Sequence, residues 1–162
     1  MYRILGVDPG SACTGYGLVA GESDDLCYVA SGTIRAATRA SRFERLHGIY
    51  AGLARVIREL EPTHFAIEGV FYHKNPRSAL VLGEARGAAI LAAVNAGLPV
   101  FEYAAREVKQ SVTGNGAAHK SQVNYMLGKL LSLEPPPADA DESDALAVAV
   151  CHAFKHRQWS LA

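Results

Sequence analysis

The chain has 162 residues (17.3 kDa), 49% of them apolar, and its 16 basic and 16 acidic side chains cancel to zero net charge. That length fits one domain able to bury roughly 70% of its unfolded surface, and the apolar fraction and balanced charge exclude disorder as the main state. The longest unbroken apolar runs, Ala88–Val94 and Ala145–Cys151, fall far short of the ~18–20 residues of a membrane span.

In chain order, RILGVD (Arg3–Asp8) is a short apolar run that closes with an acid, and Pro9-Gly10 forces a turn after it. An acid and a turn this early leave no room for a secretory apolar region. Thr14–Ala20 and Leu26–Arg35 read as two further strands. The turn GESDD lies between them, so the first three strands form an antiparallel meander. From Ser41 the period changes: Phe43, Leu46, Tyr50, Leu53, Ile57 and Leu60 mark one face of a long helix that Pro62 stops. His64–Gly69 reads as a buried strand that again closes with an acid, Glu68.

Asn75-Pro76 opens a second helix, with Asn as cap and Pro at the first helical position, running to about Asn95. Its many small residues allow close approach by the sheet, a neighbouring helix or a second subunit. Pro99–Tyr103 is another strand. Ala104–Val112 and Ser121–Leu131 are helical, separated by the glycine-loosened TGNGAAHK. After three consecutive prolines (135–137), a last helix runs from about Ala140 to His156, leaving 157–162 as a tail on a single domain of residues 1–156. This order predicts an α/β fold: a mixed sheet, with an antiparallel meander of three strands plus parallel strands, flanked by helices. Three scattered cysteines make neither a disulfide framework nor a zinc site, and the expected location is cytoplasmic.

Charge cancels in total but not in place. Six arginines face one acid between Arg35 and Arg58, seven basic residues face three acids between Gly69 and Leu133, and five acids without a base occupy Glu134–Asp144. Such a split suits a protein that binds a polyanion and concentrates carboxylates for a metal, although uneven scatter alone also produces it. Right-handed crossovers would bring the carboxyl ends of the first and fourth strands together, and with them Asp8 and Glu68. Asp141 and Asp144, three apart, share one face of the last helix. Four converging carboxylates need protons or a cation. All-oxygen ligands favour Mg2+ or Mn2+, one or two ions, suited to phosphoryl displacement. Taken singly, each acid also has a plain structural reading: Asp8-Pro9-Gly10 as a turn, and Asp139 with Glu142 as a capping box.

These residues resemble the RuvC family of Holliday-junction resolvases. The resemblance lies in ILGVDPGSACTGYG at 4–17, FAIEGVF at 65–71, ALVLGEARGAAILAAVN at 79–95, VFEYAAREVKQSVTGNGAAHKSQV at 100–123 and DESDALAVA at 141–149. It covers about residues 3–154 and implies an RNase H-like fold, a homodimer, a branch-migration motor as partner, and magnesium-dependent nicking of two opposed strands of a four-way DNA junction. By motif position it implies that Asp8, Glu68, Asp141 and Asp144 bind metal, that Lys109 and Lys120 lie near the scissile phosphate, and that Phe71 stacks on an unpaired base. Lys74 and Arg77, beside that aromatic, are further candidates for DNA contact. The same lysines also read as solvated, and the same phenylalanine as core. Three readings compete with the resolvase: an RNase H-like nuclease acting on structured RNA, a nucleotide-binding protein using Asp-x-Gly and Thr14-Gly15 as a phosphate loop, and a non-catalytic DNA-binding module. No ligand spacing stands out among the six histidines, and His47, His64 and His152 read as structural.

Overall fold

The computed structural model describes residues 1–22, 25–69 and 75–160, with the side chains of 157–160 excepted. Its elements are β1 (Tyr2–Asp8), β2 (Cys13–Glu22), β3 (Asp25–Arg35), α1 (Arg42–Leu60), β4 (His64–Glu68), α2 (Pro76–Asn95), β5 (Val100–Tyr103), α3 (Ala105–Thr113), α4 (Lys120–Leu130) and α5 (Ala140–Ser160). The five strands form one sheet in the order β3-β2-β1-β4-β5. β1, β2 and β3 pair antiparallel, whereas β4 joins β1, and β5 joins β4, in parallel. The expected meander and parallel extension are both present.

Strand alternation divides the core into two layers. Leu5, Val7, Leu18, Phe65 and Ile67 face one side, where α1 and α2 cover them. Ile4, Val19 and Ala66 face the other, against α5 and the residues of α3 and α4 that support it. Asp8 shares parity with Ile4, and Glu68 with Ala66, so the pleat turns both acids toward α5.

Three strand glycines let α5 lie directly on the sheet. A Cβ at Gly6 would stand 2.2 Å from the Ala145 carbonyl oxygen, and one at Gly15 would stand 2.0 Å from that of Asp141. At Gly17 it would meet the Leu146 side chain at 2.6 Å. None of these contacts leaves room for a methyl group, and two of the obstacles are backbone. The close approach makes α5 a core helix, buried continuously from Ala145 to Ala153. It does not stop at His156 as the sequence suggested but continues through Ser160. Its C-terminal half packs a histidine–aromatic cluster. Tyr103 Oη lies 2.7 Å from His152 Nδ1, and the rings of His64, His152 and His156 have centroids 4.9–5.9 Å apart. Burial and the other two imidazoles push His152 down to about 3.

α1 starts at a complete capping box: Ser41 Oγ accepts from Glu44 N, and Glu44 returns to Ser41 N. Its buried face is Ile49, Leu53, Val56 and Ile57. The helical period places Phe43 on that face too, but it is 76% exposed. Arg42 lies over the ring instead, 6.0 Å from its centroid. α2 opens as expected, with Asn75 Oδ1 accepting from Arg77 N at 2.9 Å. By length and composition α2 could cross a membrane, with a mean hydropathy of 1.2 over its most apolar 18 residues. Glu84 and Arg86 interrupt its apolar run without making the helix polar, and helices packed inside proteins meet the same criterion.

Candidate active site

Parallel register builds the first half of the site. Gly6 lies opposite Ala66, and Val7 opposite Ile67. One step further, Asp8 and Glu68 end neighbouring strands, which lie about 4.8 Å apart. The second half comes from α5. Its first residues rest on Gly15, the β2 residue registered with Asp8. Asp141 and Asp144, on one face of that first turn and a half, therefore stand over the strand ends.

The electrostatics agree with the convergence. Burial is the main cause that raises Asp8 from 3.8 to about 7, reinforced by the charges of Glu68, Asp144 and Asp141 and opposed by Lys120. Glu68 is raised as well, first by burial and then by Asp144, while Lys120 and Lys109 pull it down. All four predicted carboxylates and both predicted lysines thus meet at one place. Lys120 is the principal counter-charge: its Nζ donates to Asp144 Oδ2 at 2.6 Å, and that bond raises the lysine's own affinity for its proton. Among the described residues, no three Asp, Glu, His or Cys side chains close into a finished metal cage. The donor set still suits a hard divalent cation, because it is all oxygen and carries more negative charge than the two lysines offset.

Phe71 and Lys74 lie outside the described residues. Arg77 is exposed in the first turn of α2.

The matched family is the one described as "Crossover junction endodeoxyribonuclease RuvC", over residues 4–152. The chain belongs to the RuvC family. It is 54% identical over 161 residues to the crossover junction endodeoxyribonuclease RuvC of Tolumonas auensis, covering 99% of this chain and 91% of that protein. It is 56% identical over 152 residues to the Serratia proteamaculans protein of the same name, covering 94% of this chain and 87% of that one. The solved structure described as "T. thermophilus RuvC in complex with Holliday junction substrate" superposes with a TM-score of 0.92 at 31% identity, covering 99% and 98% of the two chains.

Several residues that serve this RuvC-family site carry no signal in the sequence. Burial, reinforced by the neighbouring Asp141 carboxylate, pushes the Cys13 thiol up to about 11. Arg86 Nε donates to the Glu68 carbonyl oxygen at 3.3 Å and its Nη2 pairs with Glu102 at 2.5 Å, so a half-buried guanidinium anchors the strand end that carries Glu68. The Asp-Pro-Gly turn is held by Thr14, whose hydroxyl donates to the Gly10 carbonyl at 3.0 Å and accepts from Gly10 N at 3.4 Å. Thr14 is fully buried in that role. Asp139 accepts from Asp141 N at 2.9 Å, as a cap should, and is ion-paired with Arg35. Glu142 does not complete the expected capping box. It accepts instead from Ser31 Oγ at 2.6 Å, which turns its charge toward β3 and away from Asp8.

Proposed function

We propose that this chain is a structure-selective endonuclease that resolves four-way DNA junctions, cutting two opposed strands symmetrically in a metal-dependent reaction. The observation that carries the reading is the meeting of Asp8, Glu68, Asp141 and Asp144, from two strand ends and one helix start, beside Lys109 and Lys120. The relatives named crossover junction endodeoxyribonuclease and the superposed Holliday-junction complex support the same substrate. No observation favours the RNA-directed, nucleotide-binding or purely non-catalytic alternatives.

The four carboxylates would hold Mg2+, or Mn2+ in its place, as one or two ions. Metal so held supplies Lewis-acid stabilisation of the phosphoryl oxygens and lowers the pKa of bound water. The chain's own residues do the rest. Asp8, poised near neutrality, changes charge easily as a cation arrives. Lys120 is 69% exposed along its side chain while tethered to Asp144, so it can swing to the non-bridging oxygens of a phosphate as charge develops there. Lys109, whose charge also acts on Glu68, adds to the screening. Phe71, Lys74 and Arg77, on the segment after β4, are proposed to meet the DNA near the crossover.

Paired cutting needs two copies, and α2 offers the surface for a homodimer. Leu80, Gly83, Gly87, Leu91 and Val94 are all exposed and recur at spacings of three and four, one apolar stripe along the helix. Leu80, Leu91 and Val94 are 59%, 52% and 55% exposed, and a Cβ at Gly83 or Gly87 would meet nothing within 4 Å. Glycines with no neighbour inside the chain suit close helix contact across a two-fold axis. The branch-migration motor, as partner, and a cytoplasmic setting belong to the same reading. Incubating the protein with a synthetic mobile junction, labelled on opposed strands, tests it: symmetric nicks should appear with Mg2+ and vanish with chelator. Absence of cutting on the junction under both conditions would refute it.

A further inference from the structure

A second cleft shares a wall with the acidic site. It has a volume of about 440 Å3 and opens between the Gly10–Ser11 turn, the end of β3, the loop at 36–40 and the first two turns of α1. Arg35, Arg39 and Arg45 line it against a single acid, Glu44. These charges are not equally free. Arg35 is paired with Asp139. Glu44 is turned onto its own helix cap, accepting from Ser41 N at 2.7 Å, and those cap bonds hold its carboxyl below the usual range. Arg45 donates Nε to the Ala40 carbonyl at 3.1 Å, which fixes the plane of the guanidinium and leaves its terminal nitrogens available. Arg39 is exposed. Among the described residues, neither Arg39 nor Arg45 forms an ion pair.

Two guanidinium groups without a carboxylate, in one concave wall, make a site for a tetrahedral dianion or a phosphodiester, which arginine meets with two parallel hydrogen bonds. The position selects the second. Gly10 lies two residues beyond Asp8, in a turn made rigid by Thr14. Ala36 N donates to the Ala12 carbonyl at 3.0 Å, tying the arginine-bearing loop to the same turn. An anion in the cleft and a phosphate at the carboxylates would thus be held by one stiff piece of backbone. We infer that Arg39 and Arg45 hold a backbone phosphate of the DNA beside the one that is cut. The inference rests on the nuclease reading and adds a strand-holding subsite to it.

The test is junction binding by fluorescence anisotropy across a salt series, with Asp8→Asn as the uncut parent. For every phosphate left without its arginine, the slope of log affinity against log salt should become shallower by about 0.9. Arg39→Ala should show part of that drop with a several-fold loss of affinity, and Arg39→Ala/Arg45→Ala, which strips both arginines from the one phosphate, the whole of it. Arg39→Lys should keep the slope, and Arg58→Ala, exposed in the last turn of α1, should leave both quantities unchanged. Because Arg39 is exposed, its variant keeps the fold even where Arg45→Ala does not, and thermal unfolding checks this. An unchanged slope in Arg39→Ala, on a parent that binds the junction, overturns this inference alone. A parent that binds no junction overturns the nuclease reading and this inference with it.

Discussion

Replacing Asp8 with Asn should stabilise the metal-free protein while abolishing its cleavage. The folded state raises the Asp8 carboxyl from 3.8 to about 7. A carboxyl that is harder to ionise when folded than when unfolded weakens the fold wherever the unfolded chain would ionise it. The penalty is therefore absent well below 3.8, grows as pH rises, and is complete above 7. Three pKa units correspond to about 4 kcal/mol at most. Solvent screening of a half-buried group brings a realistic figure nearer ~2 kcal/mol. Asparagine keeps the shape and never ionises, so at about pH 8 in chelator the variant should melt about 4–8 °C above wild type, and the gap should close as pH falls toward about 4. Added Mg2+ should raise the wild-type melting temperature more than the variant's, because the cation relieves the repulsion that asparagine has already removed. Thermal unfolding followed by circular dichroism, with and without chelator, reads all of these quantities. A variant that melts with wild type at high pH, or that still nicks a four-way junction, would refute the reasoning.

Removing the Lys120 ammonium with Lys120→Met should cut single-turnover cleavage by about 10²–10³, weaken junction binding only modestly, and move the pH–rate profile alkaline, since Asp8 and Glu68 would lose their nearest counter-charge. Leu91→Glu on the exposed α2 stripe should convert a dimer to monomer in sedimentation velocity and abolish paired cutting; a dimer that survives would rule out that face. His152 acts in the opposite sense to Asp8: held neutral down to about 3 against a usual 6.5, it contributes stability that is complete above 6.5 and is lost as pH drops toward 3. Replacing it together with its partner, as His152→Phe/Tyr103→Phe, should raise the melting temperature relative to wild type more at about pH 4 than at about pH 8.

Elements with local punctuation were legible in the sequence. Asp8-Pro9-Gly10, Asn75-Pro76 and the alternation of β1 each carry their structure in a few neighbouring residues, and acids that close strands mark themselves as site candidates once the strand order is known. What the sequence hid is set by contacts remote along the chain. Gly15 and Gly17 read as ordinary strand residues until α5 is seen pressed against them. Glu142 has the spacing of a capping residue, yet a serine on β3 captures it. Cys13 looks chemically idle in the sequence because its partner lies more than a hundred positions away. Phe43 fits the helical period yet stays exposed, because period alone does not show which positions of a face are covered. The ring cluster of His64, His152 and His156 joins a strand to the far end of α5, so only two of its members are near each other in the chain.

The seating of α5 on Gly6, Gly15 and Gly17 also has a consequence for biosynthesis. Half of the carboxylate set belongs to a segment made after every strand of the sheet, and it reaches the other half only by docking onto that sheet. A chain synthesised only through β5 thus lacks Asp141 and Asp144, and the four carboxylates come together in a single event, when α5 docks.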